Sequence, residues 1–361
     1  MKIEIRDALE VARSLSEACQ SAADSIRQLN GKLGLEGPEN ARPIIEKVEE
    51  SRADFCVAAV DSGVVAATLR FLDIVAIRPA GVIFEYRGGR LFSHRYIPSK
   101  TPGFVVKADG GLDYGEVAAR NSLCRLIEEM GLALRIAKEE SADGKGCCQP
   151  GMILIDGSLV PLVSDRPAKD SRIGYLYGML VEKYRELFSV CRQKGICLVG
   201  FSKDSRGRRF VEAIRSSGVP LPVLDRIGDV QLFSSVLGEA QRTVALPYAA
   251  NPKEHPILED FGEFGDKIRV YYQRIWEHAP VYRIEYLDFA GAQACGSEFL
   301  DSIAARIAFM CKAGKKFPYP PVLIEADMAA AAGKAEAGIL EMEIGRATGA
   351  AKKVRDERPF R

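Results

Sequence analysis

The sequence is short of several things that would fix its class at once. It has three histidines, His94, His255 and His278, spaced without any metal-ligand pattern, so a zinc hydrolase site is not expected. Its nine cysteines include no CxxC pair, and the one close couple, Cys147 and Cys148, is adjacent. That spacing disfavours a zinc site too, and an odd number with no secretory leader argues for a reducing, cytoplasmic setting. No apolar run is long enough to cross a bilayer, so no membrane role is expected. Excess charge is also missing. The formal net charge is +1, so no overall basic field advertises nucleic acid, although a basic groove balanced by acid elsewhere fits the same total. No internal repeat and no low-complexity block is present.

What is there centres on Gly151-Met152-Ile153-Leu154-Ile155-Asp156-Gly157-Ser158-Leu159. Four apolar residues run into an aspartate, then a glycine and a small hydroxyl. The run is too short for a buried helix and reads as a strand buried on both faces of an α/β sheet. Phe55-Cys56-Val57-Ala58-Ala59-Val60-Asp61-Ser62-Gly63 repeats the pattern, with the aspartate at the strand's end and the glycine letting the chain turn away. Two strands thus deliver two carboxylates, Asp61 and Asp156. Side by side they repel unless protonated or bound to a cation; singly, each is also explained as a turn cap.

Around these strands the periodicity predicts a helical N-terminal arm over residues 1–50, with Leu9, Ala12, Leu15, Ala18, Ala22, Ile26 and Leu29 on one stripe. A β-meander follows over 55–98, with Gly88-Gly89 as a hairpin turn. A long helix is predicted over 114–138, its apolar stripe running through Leu123, Leu126, Ile127, Met130 and Leu134. Beyond the central strand come a helix over 173–195, a strand over 196–203, and short helices over 210–216 and 230–237. Strands follow over 244–248, 268–275 and 281–287, then helices over 296–312 and 322–342. The charged segment 346–361 reads as a loose tail. This order fits an α/β fold with an RNase H-like mixed sheet and flanking helices. In such a fold carboxylates from several elements converge, as two-metal phosphodiester hydrolysis demands. Oxygen-only ligands favour Mn²⁺ or Mg²⁺.

Taken together the motifs resemble the NurA nuclease family. The matching stretches are Ala59-Val60-Asp61-Ser62-Gly63, Ile153 to Leu159, Gly200-Phe201-Ser202-Lys203, Tyr282-Arg283-Ile284-Glu285, and Tyr319 to Asp327. The resemblance extends over roughly residues 50 to 345, which sets a nuclease domain at 51–345 between the arm (1–50) and the tail (346–361). It implies an RNase H-like fold, Mn²⁺- or Mg²⁺-dependent DNA cleavage with two ions, action on duplex ends and single strands in end resection, a homodimer, and partnership with a HerA-like hexameric ATPase.

The resemblance carries the family's aspartates onto Asp61 and Asp156. Its helix glutamate falls in the 114–138 helix, where Glu129 makes a one-turn row with Arg125 and Ala133. Glu128 stands adjacent, and Glu116 on the stripe is a third candidate. Tyr319 opens the late motif, and Asp327 stands where the family has a histidine, an exchange that keeps hard oxygen chemistry. Tyr319 suits stacking on a base or bonding a phosphate, and equally plain packing. Lys203 suits a phosphate contact, with Arg206, Arg208 and Arg209 adding local positive charge for DNA. A non-catalytic DNA-binding or scaffold subunit of the same fold, and an actin-like or sugar-kinase ATPase, are the alternative readings.

Overall fold

The computed structural model describes residues 6–30, 43–51, 54–69, 72–139, 148–168, 170–218, 222–289, 296–312, 314 and 317–349. In chain order they form α1 (Arg6–Gln28), β1 (Ile45–Lys47), β2 (Phe55–Thr68), β3 (Asp73–Arg87), β4 (Arg90–Ile97), β5 (Val105–Asp109), α2 (Tyr114–Lys138) and β6 (Met152–Asp156). Then come α3 (Gly174–Lys194), β7 (Cys197–Ser202), α4 (Arg209–Ser216), α5 (Asp229–Val236), β8 (Gln241–Thr243), β9 (Leu246–Pro247) and α6 (Pro256–Asp260). β10 (Ile268–Arg274), β11 (Val281–Leu287), α7 (Gly296–Cys311), α8 (Pro321–Ala330) and α9 (Lys334–Thr348) complete the order.

All the strands join one mixed sheet in the order β1-β8-β10-β11-β7-β6-β2-β3-β4, with β5 paired to β3 and β9 to β10. Only the central trio is parallel: β2 with β6, and β6 with β7. Strand alternation then sorts the side chains into two cores. Cys56, Ala58 and Val60 of β2 face α2 and α3, where Leu123, Met130, Tyr184 and Phe188 are buried. Phe55, Val57 and Ala59 face α7 and α8, with Ile303, Ile307, Val322 and Leu323. The central strands are covered on both sides, which is why they read as unbroken apolar runs.

The 114–138 helix stands at those bounds, and its start is fixed by a capping box between Asp113 and Glu116. The hairpin turn at Gly88-Gly89 has φ of 55° and 75°, values that favour glycine. Several expectations change. β2 does not end at Asp61; it runs through Asp61-Ser62-Gly63 to Thr68. What stops near Asp61 is its pairing with β6, whose last partnered residue on β2 is Val60. Gly63 therefore makes no turn. Its missing Cβ makes room for α8, since a methyl there meets the Ala330 carbonyl oxygen at 2.0 Å. The helix expected over 322–342 is two, α8 and α9, separated at Ala331–Gly333. There the Arg78 guanidinium takes the Ala331 carbonyl and pairs with Glu336. β5 and α6 are additional elements.

The N-terminal stripe is largely covered by its own chain. Ala22, Ala23 and Ile26 are buried with Phe210, Leu232 and Phe233 of α4 and α5, and β1 joins the sheet beside β8. Leu9 and Val11 remain exposed. A disulfide joins Cys56 to Cys148, 92 residues apart in sequence, with Cα atoms 6.1 Å apart. Spacing gave no sign of it. The pair meets because β2 lies beside β6 and Cys148 lies on the approach to that strand.

Candidate metal centre

Asp61 and Asp156 stand side by side where the pairing of β2 with β6 stops, Val60 pairing with Ile155 one residue before each. The β6 aspartate is held from both sides. Its Oδ1 accepts the Tyr319 hydroxyl at 2.8 Å, and its Oδ2 accepts the Lys203 ammonium at 2.9 Å. Gly157 follows with φ of 122° and turns the chain beneath β7. Gly200 on β7 lies so close that a Cβ meets the Gly157 carbonyl oxygen at 2.7 Å and the Leu159 nitrogen at 3.0 Å.

Asp61 is partly buried, and its Oδ1 accepts the Ser62 N–H at 2.7 Å. Burial, above all, pushes its carboxyl up from the ordinary 3.8 to about 6; the charges of Asp156 and Asp327 and a hydrogen bond with Asp327 add to the rise, against the Ser62 amide. Asp327 is exposed on α8, and the close approach of α8 at Gly63 brings it there. Glu129 is 1% exposed. It accepts the Ser62 hydroxyl at 2.6 Å and the Arg125 guanidinium at 2.6 Å. Its carboxyl is raised to about 7, chiefly by burial, with Arg125 and Ser62 opposing and Asp61 and Asp156 adding to it.

Of the three helix acids the structure brings only Glu129 to this group. Glu128 faces the other way and pairs with Lys107 of β5 at 3.2 Å. Glu116 is spent on the capping box and on the Ser171 hydroxyl at 3.0 Å. The sequence left Glu128 and Glu129 as adjacent candidates; the hydroxyl of Ser62, arriving from β2, separates them. Tyr319 is buried between the edge of Phe201, at a centroid distance of 5.1 Å, and the Lys203 ammonium, 4.4 Å from its ring centre. The basic run divides. Arg206 is exposed. Arg208 binds the Leu224 carbonyl at 2.7 Å, and Arg209 the Pro247 carbonyl at 2.9 Å, so part of each guanidinium serves the fold.

Ser62 and Arg125 were not among the expected site residues, nor was the network behind Asp156. Glu285, fully buried, accepts the Ser158 hydroxyl, the Leu159 N–H and the Arg283 guanidinium, each at 2.8 Å. Arg283 donates to the Tyr272 hydroxyl at 3.2 Å, and that hydroxyl donates to Asp229 at 3.0 Å. Asp229 accepts the Phe210 and Val211 amides at the start of α4. The turn after Asp156 is thus tied to the segment that carries Arg208 and Arg209. Arg283 and Glu285 lie two apart on β11 and so share a face; their further partners lie on other elements.

Among the described residues no three His, Cys, Asp or Glu side chains are drawn together tightly enough to hold an ion as they stand. The donor chemistry fits one. The carboxylates of Asp61, Asp156 and Asp327 are hard oxygen ligands suited to Mn²⁺ or Mg²⁺. The Lys203 ammonium already stands against Asp156, and the raised Asp61 carboxyl registers the cost of holding its charge partly buried beside other acids.

The fold and this group define an α/β protein with an acidic centre where the parallel pairing of β2 and β6 stops. The sequence matches the NurA domain family over residues 56–331, and the chain belongs to that family. No curated protein matches the sequence. Among solved structures, the NurA nuclease from Sulfolobus solfataricus is similar at 15% identity and a TM-score of 0.61, over 99% of this chain and 97% of that one. A second NurA structure is 12% identical with a TM-score of 0.51, over 96% and 98%. A NurA structure with manganese is 12% identical with a TM-score of 0.50, over 83% and 91%. At these identities the likeness is one of fold.

Proposed function

We propose that the protein is a divalent-metal-dependent DNA nuclease, hydrolysing phosphodiester bonds at linear duplex ends and in single strands. The observation that carries this reading is Asp61 lying close enough to Asp156 and Asp327 to feel both charges, with Lys203 and Tyr319 on Asp156. It combines acid to hold cations with a base to hold phosphate. Family membership supports it, as does the likeness in fold to a NurA nuclease and to a NurA protein with manganese.

Asp61, Asp156 and Asp327 would hold Mn²⁺ or Mg²⁺, two ions in our reading, with Glu129 behind them. The ions supply a clamp on the attacking and leaving oxygens of the displacement. Glu129 fixes the Ser62 hydroxyl, and through that residue the orientation of Asp61. Tyr319 holds one oxygen of Asp156 in place. Lys203 is the movable charge: when a cation takes Asp156, the ammonium is freed to face a phosphate oxygen. Arg206, Arg208 and Arg209 extend the positive strip along the DNA backbone.

In the cell the same reading makes the protein a cytoplasmic homodimer that works with a HerA-like hexameric ATPase in resection of double-strand breaks. Modest net charge motivates the partnership, since phosphate neutralisation supplies most non-specific DNA affinity. Ile26 is covered by α4 and α5, which leaves Leu9 and Val11, not the whole stripe, for contact.

One observation favours a second reading, a non-catalytic DNA-binding subunit: the Lys203–Asp156 ion pair already neutralises a central ligand. Purified protein with linear DNA and Mn²⁺ separates the two. Cleavage that chelator abolishes supports the nuclease. Binding without cleavage in any divalent metal, by protein shown to be folded, contradicts it.

A further inference from the structure

Phe317 is a large exposed ring beside the acidic centre. It is 51% exposed and belongs to none of the hydrophobic clusters, although Tyr319, two residues on, is buried in one. Its ring lies nearly parallel to Tyr319, with centroids 5.6 Å apart and planes at 24°. Tyr319 in turn gives its hydroxyl to Asp156 and lies against Lys203. The order is therefore carboxylate and ammonium, then a buried ring, then an exposed ring.

The backbone that follows Phe317 is restrained. Pro318 and Pro320 flank Tyr319, and Pro321 opens α8, so several φ angles are fixed by their rings. Gly314 lies against the same residue, since a Cβ there would meet the Phe317 carbonyl oxygen at 2.6 Å. A ring held out to solvent by rigid backbone loses little freedom on binding. Its surroundings are charged, which suits a ligand with one flat apolar face and a nearby anion. A nucleotide has that form.

We propose that Phe317 is a stacking platform for a nucleobase of single-stranded DNA, extending the Tyr319 stack outward from the phosphate held at Lys203. The inference rests on the nuclease reading and adds to it a base-binding subsite without sequence preference, because every base has a flat face.

The test uses the full chain, whose sequence contains a single tryptophan, Trp276. F317W places an indole on the platform. In chelator, single-stranded oligothymidylate should quench F317W fluorescence well beyond wild type, and an abasic oligonucleotide of equal phosphate number should not. In Mn²⁺, F317A should raise KM for single-stranded DNA by roughly 5- to 150-fold, the fold-change to which 1–3 kcal/mol per stacked base corresponds. Its kcat should stay within about twofold, as for loss of uniform binding, and on the abasic substrate it should match wild type. An F317W signal unchanged at oligonucleotide concentrations that saturate by anisotropy overturns the proposal. So does an F317A enzyme with wild-type KM. A folded wild-type chain that neither binds nor cuts DNA overturns the nuclease reading, and this inference with it.

Discussion

Asp61→Asn should make the metal-free protein more stable at pH 8. The asparagine side chain keeps an oxygen for the Ser62 N–H, bonded in wild type at 2.7 Å, and gains an N–H to offer Asp327. What the substitution removes is a charge that the site disfavours. The Asp61 carboxyl is raised to about 6 from 3.8, first by burial and then by its acidic neighbours. For an acid whose folded value lies above its unfolded one, the folded state binds the extra proton. Its stabilising contribution is complete below about pH 4 and is lost as pH rises through about 6. At pH 8 the ionised group costs the fold about 3 kcal/mol at one pKa unit per 1.36 kcal/mol, and about 1–3 kcal/mol once its partial contact with water is allowed for. Urea denaturation in chelator at pH 5 and pH 8 reads this directly. The D61N variant should gain about 1–3 kcal/mol at pH 8 and about half as much at pH 5, because the loss begins above the unfolded value of 3.8. Adding Mn²⁺ should reverse the order, because only the intact carboxylate set gains binding free energy, about 2.7 kcal/mol at a hundred times Kd. A D61N variant less stable than wild type at pH 8 in chelator refutes the reasoning, as does a difference that does not change with pH.

Four further outcomes follow from the same geometry. Apparent Mn²⁺ affinity, measured by titration calorimetry, should strengthen as pH rises from about 5.5 to 7.5, because Asp61 and Glu129, raised to about 6 and about 7, must release protons to the buffer before binding. Lys203→Met should tighten Mn²⁺ binding, since the ammonium 2.9 Å from Asp156 competes with the ion, while weakening DNA binding in a salt-titrated anisotropy assay. Arg283→Met should destabilise the chain by about 3–5 kcal/mol in urea, because it leaves Glu285 charged and buried without its partner. Gly200→Ala should cost about 1–3 kcal/mol by overpacking and lower cleavage as well, because the new methyl pushes on the Gly157 turn that follows Asp156.

Much of the fold was legible wherever a single period dominated. The helix over 114–138 and the strands over 268–275 and 281–287 were readable because burial on one stripe or both faces leaves a continuous pattern. β5 was not, since Val105 to Asp109 has only partly buried and exposed side chains and no alternation. The split between α8 and α9 depends on Arg78, which lies more than 250 residues earlier. Gly63 misled for a related reason. Beside an aspartate it looks like a turn, yet it answers to the backbone of α8.

The site shows the same division. Asp61 and Asp156 were visible as acids ending apolar runs. The choice of Glu129 over Glu128 required knowing that Ser62 faces α2. The network through Glu285, Arg283, Tyr272 and Asp229 joins separate elements, so no local spacing displays it. Arg208 and Arg209 looked like free charge in the sequence, and each spends part of its guanidinium on a carbonyl.

The most direct test of the central claim is anomalous diffraction at the manganese edge from crystals soaked in Mn²⁺ near pH 8. The account predicts a peak in bonding contact with carboxylate oxygens of Asp61 and Asp156, with Asp327 turned toward it and the Lys203 ammonium displaced from Asp156. A map with no peak there in protein that cuts DNA, or a peak held by other residues while Lys203 keeps its bond to Asp156, contradicts it.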